Sequence, residues 1–296
     1  MSLPGKTAMN LAEHHGACHS HSSMGAILVA AGKLTPAQVE EILRSKKDVG
    51  LHFGDAAIRL GFVRPEDVEQ ALARQFEYPY LTPGHSKISR DVVAAYNPFS
   101  VEVDVFRALR SRLLTRWFSA GESRRALAIT SPMRGDGRSY VAANLAVVFS
   151  QLGERTILVD ADMRNPQQHH LFGTRNALGL SSVLSGRAGD EAVVRIPELV
   201  SLSLLPAGPL PPNPGDLVAR ASFSAQMEQV IKTHDVVIVD TPAATLGNDA
   251  PSIAFRTRGA LIVARKDRTR VDDIREMTET FRSAGVEVLG AVLNGR

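Results

Sequence analysis

The sequence predicts an α/β fold: a mainly parallel sheet with helices on both faces, preceded by a small helical module. Three observations carry this. Short aliphatic runs such as Thr156-Ile-Leu-Val-Asp160 and Asp235-Val-Val-Ile-Val-Asp240 alternate with helical patterns, as buried parallel strands do. Another such run, Ala126-Leu-Ala-Ile-Thr130, breaks into a glycine-rich turn and then a helix. Ahead of it, the stretch from Ser23 to Gln75 repeats itself at a spacing of 29 residues.

With 296 residues, 44% hydrophobic and 22% charged, the chain can bury one large core and one small one. Its longest apolar runs, such as Val236-Val-Ile-Val239, are far shorter than a bilayer span, and Met1 to Ala12 lacks a signal-peptide apolar core. The expected location is the cytoplasm, with no transmembrane segment of its own. A single cysteine, Cys18, excludes an intrachain disulfide. The 34 basic and 31 acidic side chains leave +3, too little to imply nucleic-acid binding by bulk charge. The densest basic patch, Arg107, Arg110, Arg112, Arg116, Arg124 and Arg125, reads as a solvated helix face.

Residues 1–22 are polar, with His14, His15, His19 and His21 beside Cys18. A metal site is conceivable there, but nothing adjacent supplies a fold to hold the ligands, so the stretch reads as a flexible terminus. Residues 23–80 form the repeat module. Met24-Gly-Ala-Ile-Leu-Val-Ala-Ala-Gly32 answers to Phe53-Gly-Asp-Ala-Ala-Ile-Arg-Leu-Gly61, and each unit continues into a helix opened by proline, Pro36 or Pro65. Thr35 is placed to cap the first of these helices, whereas its counterpart Arg64 is not a capping residue. Val39, Ile42 and Leu43 should face inward in one unit, and Val68, Ala71 and Leu72 in the other. The pattern resembles the N-terminal domain of type II secretion ATPases and the related module of the pilus ATPase MshE, which in some members binds cyclic-di-GMP. Those nucleotide-binding units begin Arg-Leu-Gly, whereas these begin Ser23-Met-Gly and His52-Phe-Gly. Gln75 keeps the closing glutamine, but Lys46 stands at the matching place in the first unit. The module is therefore read as a protein-docking element rather than a second-messenger sensor.

Residues 81–98 read as a proline-containing linker, and residues 99–296 as the large domain. The helical pattern from Val101 to Phe118 puts Phe106, Leu109, Leu113 and Trp117 on one face and Asp104, Arg107 and Arg110 on another. That charged set either bridges within its own helix or pairs with a neighbouring subunit. The glycine-rich turn follows. Gly135 and Gly137 can aim successive N–H groups at an anion, and the helix beginning near Arg138 adds its positive dipole end. Arg134, Gly135, Asp136, Gly137, Arg138, Ser139 and Tyr140 thus make a phosphate cradle. In it Arg138 would reach the outer phosphates and the Ser139 hydroxyl would ligate magnesium. The match to G-x-x-x-x-G-K-[ST] is imperfect, because Pro132 replaces the first glycine and Arg138 the lysine.

Beyond the cradle, one strand ends in Asp160-Ala-Asp162-Met-Arg164 and another in Asp240-Thr-Pro242. A strand near Leu202 to Pro206, helices from Phe223 to Thr233 and Asp272 to Ala284, and closing strands at Ala260 to Ala264 and Val286 to Leu293 complete the series. An ATP site needs a phosphate cradle, a hydroxyl on Mg2+ and an acid that holds the metal's water shell. Asp160 is the candidate base for a hydroxyl nucleophile, while Asp162 and Asp240 would organise the metal. The sequence leaves open which of the paired acids does which.

At these motifs the chain resembles the bacterial tyrosine kinases of polysaccharide export, which are relatives of the MinD and ParA ATPases. The carriers are Ile157-Leu-Val-Asp160-Ala-Asp162-Met-Arg164 and Val237-Ile-Val-Asp240-Thr-Pro242. Gly137-Arg-Ser-Tyr-Val-Ala-Ala-Asn-Leu145 and Pro206-Ala-Gly-Pro-Leu-Pro-Pro-Asn-Pro214 are similar to the EpsG-type chain-length-determinant kinases of exopolysaccharide loci. The resemblance implies a P-loop fold of the MinD and ParA type, ATP and Mg2+ as cofactors, and transfer of phosphate to tyrosine. It also implies a separate membrane co-polymerase as partner, which would hold the kinase at the inner membrane, and self-association into a ring or dimer through Asp104, Arg107 and Arg110. Asn294 sits where related ATPases contact adenine. Such kinases usually end in a tyrosine-rich tail, whereas here no tyrosine follows Tyr140, which leaves Tyr78 and Tyr80 as replacements. Two other readings are a non-kinase ATPase switch and a cyclic-di-GMP-responsive scaffold.

Overall fold

The computed structural model describes residues 23–75, 80–81, 84, 86–121 and 125–296. The histidine cluster, Cys18, Tyr78 and Arg124 lie outside them. The chain divides into two compact units, Met1–Tyr78 and Pro79–Arg296.

In the first unit the sequence repeat is a structural one. Helices α1 (Met24–Ala30), α2 (Pro36–Val49), α3 (Phe53–Arg59) and α4 (Pro65–Gln75) enclose a core of Leu28, Leu34, Ile42, Ala56, Ala57, Val63, Val68 and Ala71. Gly25 faces Val39 and Phe53, and Gly54 faces Val68 and Met24, so the two halves pack reciprocally. Thr35 caps α2 in a capping box with Gln38. Its counterpart Arg64 offers no side-chain cap. Instead Asp67, the residue equivalent to Gln38, accepts the Arg64 N–H at 3.1 Å and pairs with Lys33 at 2.8 Å. Half of the box therefore survives in the second repeat through another residue type. Leu43, expected inside, is 46% exposed.

The second unit opens with α5 (Val93–Tyr96) and α6 (Val101–Arg116), which Ser100 caps through Val103 N–H at 3.3 Å. Then come β1 (Ala126–Thr130), α7 (Arg138–Ser150), β2 (Thr156–Asp160), α8 (Gln168–Leu171), α9 (Leu180–Leu184), β3 (Val194–Arg195) and β4 (Leu202–Leu205). The chain closes with α10 (Pro214–Ala219), α11 (Ala221–Thr233), β5 (Val236–Asp240), α12 (Asp249–Thr257), β6 (Gly259–Arg265), α13 (Val271–Ser283) and β7 (Glu287–Asn294).

The strands form one sheet in the order β3-β4-β2-β5-β1-β6-β7, parallel except for the short antiparallel edge strand β3. Alternate residues of its central strands enter two cores. Leu127, Ile129, Leu158 and Ile238 pack with α5, α6 and α7 on one face. Ile157, Val159, Val237 and Val239 meet Leu180, Leu217, Phe223 and Met227 on the other. With both faces covered, β1, β2 and β5 are buried throughout, which is why they read as unbroken aliphatic runs.

Within the stretch 81–98, the described residues from Ile88 onward pack onto the second unit's core. Val92 to Tyr96 are buried in the main core, and the Asn144 side chain of α7 accepts the Ala94 N–H and donates to the Asp91 carbonyl. The sequence also predicts no element at α10 or at the two-residue β3.

An added Cβ on Gly54 would lie 2.6 Å from Val68 Cγ1, whereas one on Gly25 would lie 3.2 Å from Val39 Cγ1. Alanine also gains about 0.5–1 kcal/mol of helix preference over glycine. Gly54→Ala should therefore destabilise the first unit by about 1–3 kcal/mol, and Gly25→Ala should be nearly neutral. Hydrogen exchange of the α4 amides in the full chain measures both.

Candidate active site

The chain leaves the end of β1 and turns through Ser131 to Gly137 into α7. Gly135 and Gly137 hold φ of 85° and 101°, angles that glycine adopts without strain. Val141 N–H to Gly137 O, at 2.9 Å, opens the helical ladder. The N–H groups of Arg138, Ser139 and Tyr140 precede it and have no acceptor within the helix, which with the helix dipole favours an anion.

This loop is braced from several sides. The buried Asp136 carboxylate accepts Met133 N–H at 2.9 Å and the Thr269 hydroxyl at 3.0 Å. Asn294 Nδ2 donates to the Asp136 carbonyl at 3.0 Å and lies 2.1 Å from where a Cβ on Gly137 would stand. Arg265 Nη1 donates to the Gly135 carbonyl at 3.0 Å. The side chains of Asp136 and Asn294 thus hold the loop in shape. Arg134 is exposed and donates to Asn165 Oδ1 at 3.1 Å.

Sheet register brings the acids together, for Asp160 is the direct partner of Asp240 across β2 and β5. Both are fully buried. Asp160 accepts the N–H groups of Asp162, Gln167 and Gln168 at 3.2, 3.1 and 3.0 Å. Asp240 Oδ2 accepts Gln168 Nε2 at 2.7 Å, while its Oδ1 is buried without a partner among the described residues. Burial and the facing Asp240 push the Asp160 carboxyl well above the usual carboxylate range. Burial likewise raises Asp240 to about 6, against the nearby Arg138 charge, and raises Asp162. A partnerless carboxylate oxygen among buried acids suits a hard divalent cation, which prefers oxygen donors.

Two side chains of the cradle are engaged by the protein itself. Arg138 Nε donates to Thr241 O at 2.8 Å, and Nη1 to Ser131 Oγ and Met133 O. Tyr140 turns toward α6, where its ring meets Phe106 edge-on and its hydroxyl donates to Glu102. Only its backbone N–H remains available to the cradle. On α6, Asp104 pairs with Arg107 at 2.9 Å, and Arg110 donates inward to the Val148 carbonyl at 2.7 Å. Arg110 is therefore partly engaged by its own subunit.

The sequence reading missed Gln168. Its amide joins the Ser139 carbonyl, at 3.1 Å, to Asp240. It lies in the polar run Gln167-Gln168-His169-His170, which carries no signal of such a role.

Residues 122–295 match the family model described as ParA: NUBPL iron-transfer P-loop NTPase. Tyrosine-protein kinase YwqD of Bacillus subtilis (strain 168) is 32% identical over 211 residues, covering 71% of this chain and 88% of that one. The chain belongs to the bacterial tyrosine-kinase family. Tyrosine-protein kinase wzc of Salmonella typhi is 30% identical over 203 residues, which are 69% of this kinase and 28% of that longer chain. Among solved structures, the kinase domain of Escherichia coli tyrosine kinase ETK aligns with TM-score 0.68 and 28% identity, over 74% of this chain and 85% of that one. The chimerical protein CapA2B2 aligns with TM-score 0.65 and 30% identity, over 76% and 98%. Phosphoryl transfer from a nucleotide to tyrosine is accordingly the activity of this enzyme class, and no helix among the described residues is long and apolar enough to cross a membrane.

Asp240 binds its proton more tightly in the folded chain than in the unfolded one. Its charge therefore costs stability above the folded pKa and nothing below the unfolded pKa. In metal-free protein, Asp240→Asn should add about 1–3 kcal/mol of stability near pH 8 and nothing below about pH 4. Thermal unfolding in chelator across that range is the measurement, and a variant weaker than the parent near pH 8 contradicts the uncompensated charge.

Proposed function

We propose that this kinase uses ATP and Mg2+ to phosphorylate tyrosine and so regulates exopolysaccharide chain length and export, together with a membrane co-polymerase on a separate polypeptide. The observation that carries the reading is the register pair Asp160 and Asp240 at the strand ends beside the phosphate cradle. Asp160, whose raised pKa suits it to take up a proton, is the base for the tyrosine hydroxyl. The Ser139 hydroxyl, Asp162 and Asp240 would hold Mg2+, which when bound neutralises charge on the phosphates. The N–H groups from Gly137 to Tyr140 orient the phosphate chain. Asn294 lies against Gly137, as a contact near the nucleotide requires. Asp104, Arg107 and Arg110 are proposed to support self-association into a ring or dimer, with Asp104 the most exposed of them. The partner would keep the kinase on the cytoplasmic side of the inner membrane.

The first unit, with its own core, is proposed as the protein-docking element. The match to the ParA model favours a second reading, a non-kinase ATPase switch.

Purified kinase incubated with labelled ATP and the co-polymerase's cytoplasmic tail separates the two. The kinase reading expects label on tyrosine, reduced at least about a hundredfold in Asp160→Ala and lost in Asp240→Ala. Phosphate release with no phosphotyrosine under any condition leaves the switch.

A further inference from the structure

Four arginines touch the phosphate loop: Arg134 within it on Asn165, Arg265 on the Gly135 carbonyl, Arg138 at the start of α7, and Arg268 against Gly135. Arg138 occupies the motif's cationic position, yet it is only 6% exposed. Its guanidinium serves Thr241 O, Ser131 Oγ and Met133 O, with Nη2 3.9 Å from Asp162. A planar fork satisfied in this way is a tie between the loop and the end of β5, with few donors left for a ligand above the loop.

Arg268 lies against the loop's glycine instead. A Cβ on Gly135 would stand 2.8 Å from Arg268 Nη1 and 3.5 Å from its Cζ. The turn that carries it is fastened to the loop at both ends, through Arg265 to the Gly135 carbonyl and through Thr269 to the Asp136 carboxylate. The turn is also closed on itself. Thr269 Oγ1 accepts the Arg265 N–H at 2.7 Å, and Asp267 holds the left-handed φ of 59°. Arg268 is exposed, and its side chain makes no hydrogen bond or ion pair with any described residue. An uncompensated guanidinium, held on an anion cradle by a bolted turn, has the chemistry to pair with phosphate oxygens.

We propose that Arg268 supplies the guanidinium that closes over the phosphate chain of the bound nucleotide, the part that the motif gives to residue 138. This rests on the nucleotide-binding reading above and adds to it the residue that recognises the di- and triphosphate. Lysine is an imperfect substitute, because it keeps the charge and loses the fork.

Calorimetric titration of the full chain with ATP, ADP and AMP in Mg2+ tests this. Arg268→Ala should weaken ATP and ADP by about tenfold or more, change AMP by less than about twofold, and leave the unfolding midpoint in place because the side chain is exposed. Arg268→Lys should recover part of the loss. Unchanged ADP and ATP affinity overturns the proposal, and so does an equal loss for all three nucleotides, which would mean that Arg268 only shapes the loop. A parent protein that binds none of them overturns the nucleotide reading itself, before any variant is compared.

Discussion

Burying Asp160, Asp162 and Asp240 in one place opposes folding, and much of the surrounding structure offsets that cost. Carboxylates taken out of water need partners, and here backbone N–H groups supply most of them, from the turn after β2 and the first residues of α8. Gln168 and Arg138 add an amide and a positive charge at Asp240. What stays unbalanced is Asp240 Oδ1, which has no hydrogen-bond partner among the described residues. A cluster kept partly unsatisfied is poor for stability and well suited to a cation, a conflict between levels that functional sites commonly show.

The same demand for order shapes the phosphate loop. Its two left-handed glycines make the backbone pliable, and contacts from β6, β7 and the turn after β6 make it stiff again. Asp136, Arg265, Thr269 and Asn294 each take a backbone or side-chain group of the loop, so its N–H groups are aimed before any anion arrives. Asp136 braces the loop from within. It sits in the cradle by sequence, and by structure its carboxylate is buried and turned onto the loop's own frame.

Much of the fold was legible because it depends on short-range pattern. Aliphatic runs marked β1, β2 and β5, and the acids that follow them fell at the strand ends where ligands meet such sheets. The repeat in the first unit could be read from glycine and proline spacing, and even its imperfect cap obeyed the repeat once Asp67 was seen to stand where Gln38 does. Other features had no local signal. Val92 to Tyr96 fall within the proline-containing stretch 81–98 by sequence, and they can be core because Asn144 and Gln151 satisfy both backbone groups of Ala94.

By itself the sequence determined which segments are the parallel strands, where the glycine turn lies and that three acids fall at the ends of two strands, because each of these follows from residues close together in the chain. Only the tertiary structure decided that Asp160 faces Asp240, that Gln168 bridges to the cradle, and that Arg138 ties into the Thr241 carbonyl while Arg268 lies against Gly135. A long charged side chain has many rotamers of similar energy in isolation. The one it keeps is selected by acceptors remote in sequence, such as the Thr241 carbonyl, 103 residues beyond Arg138.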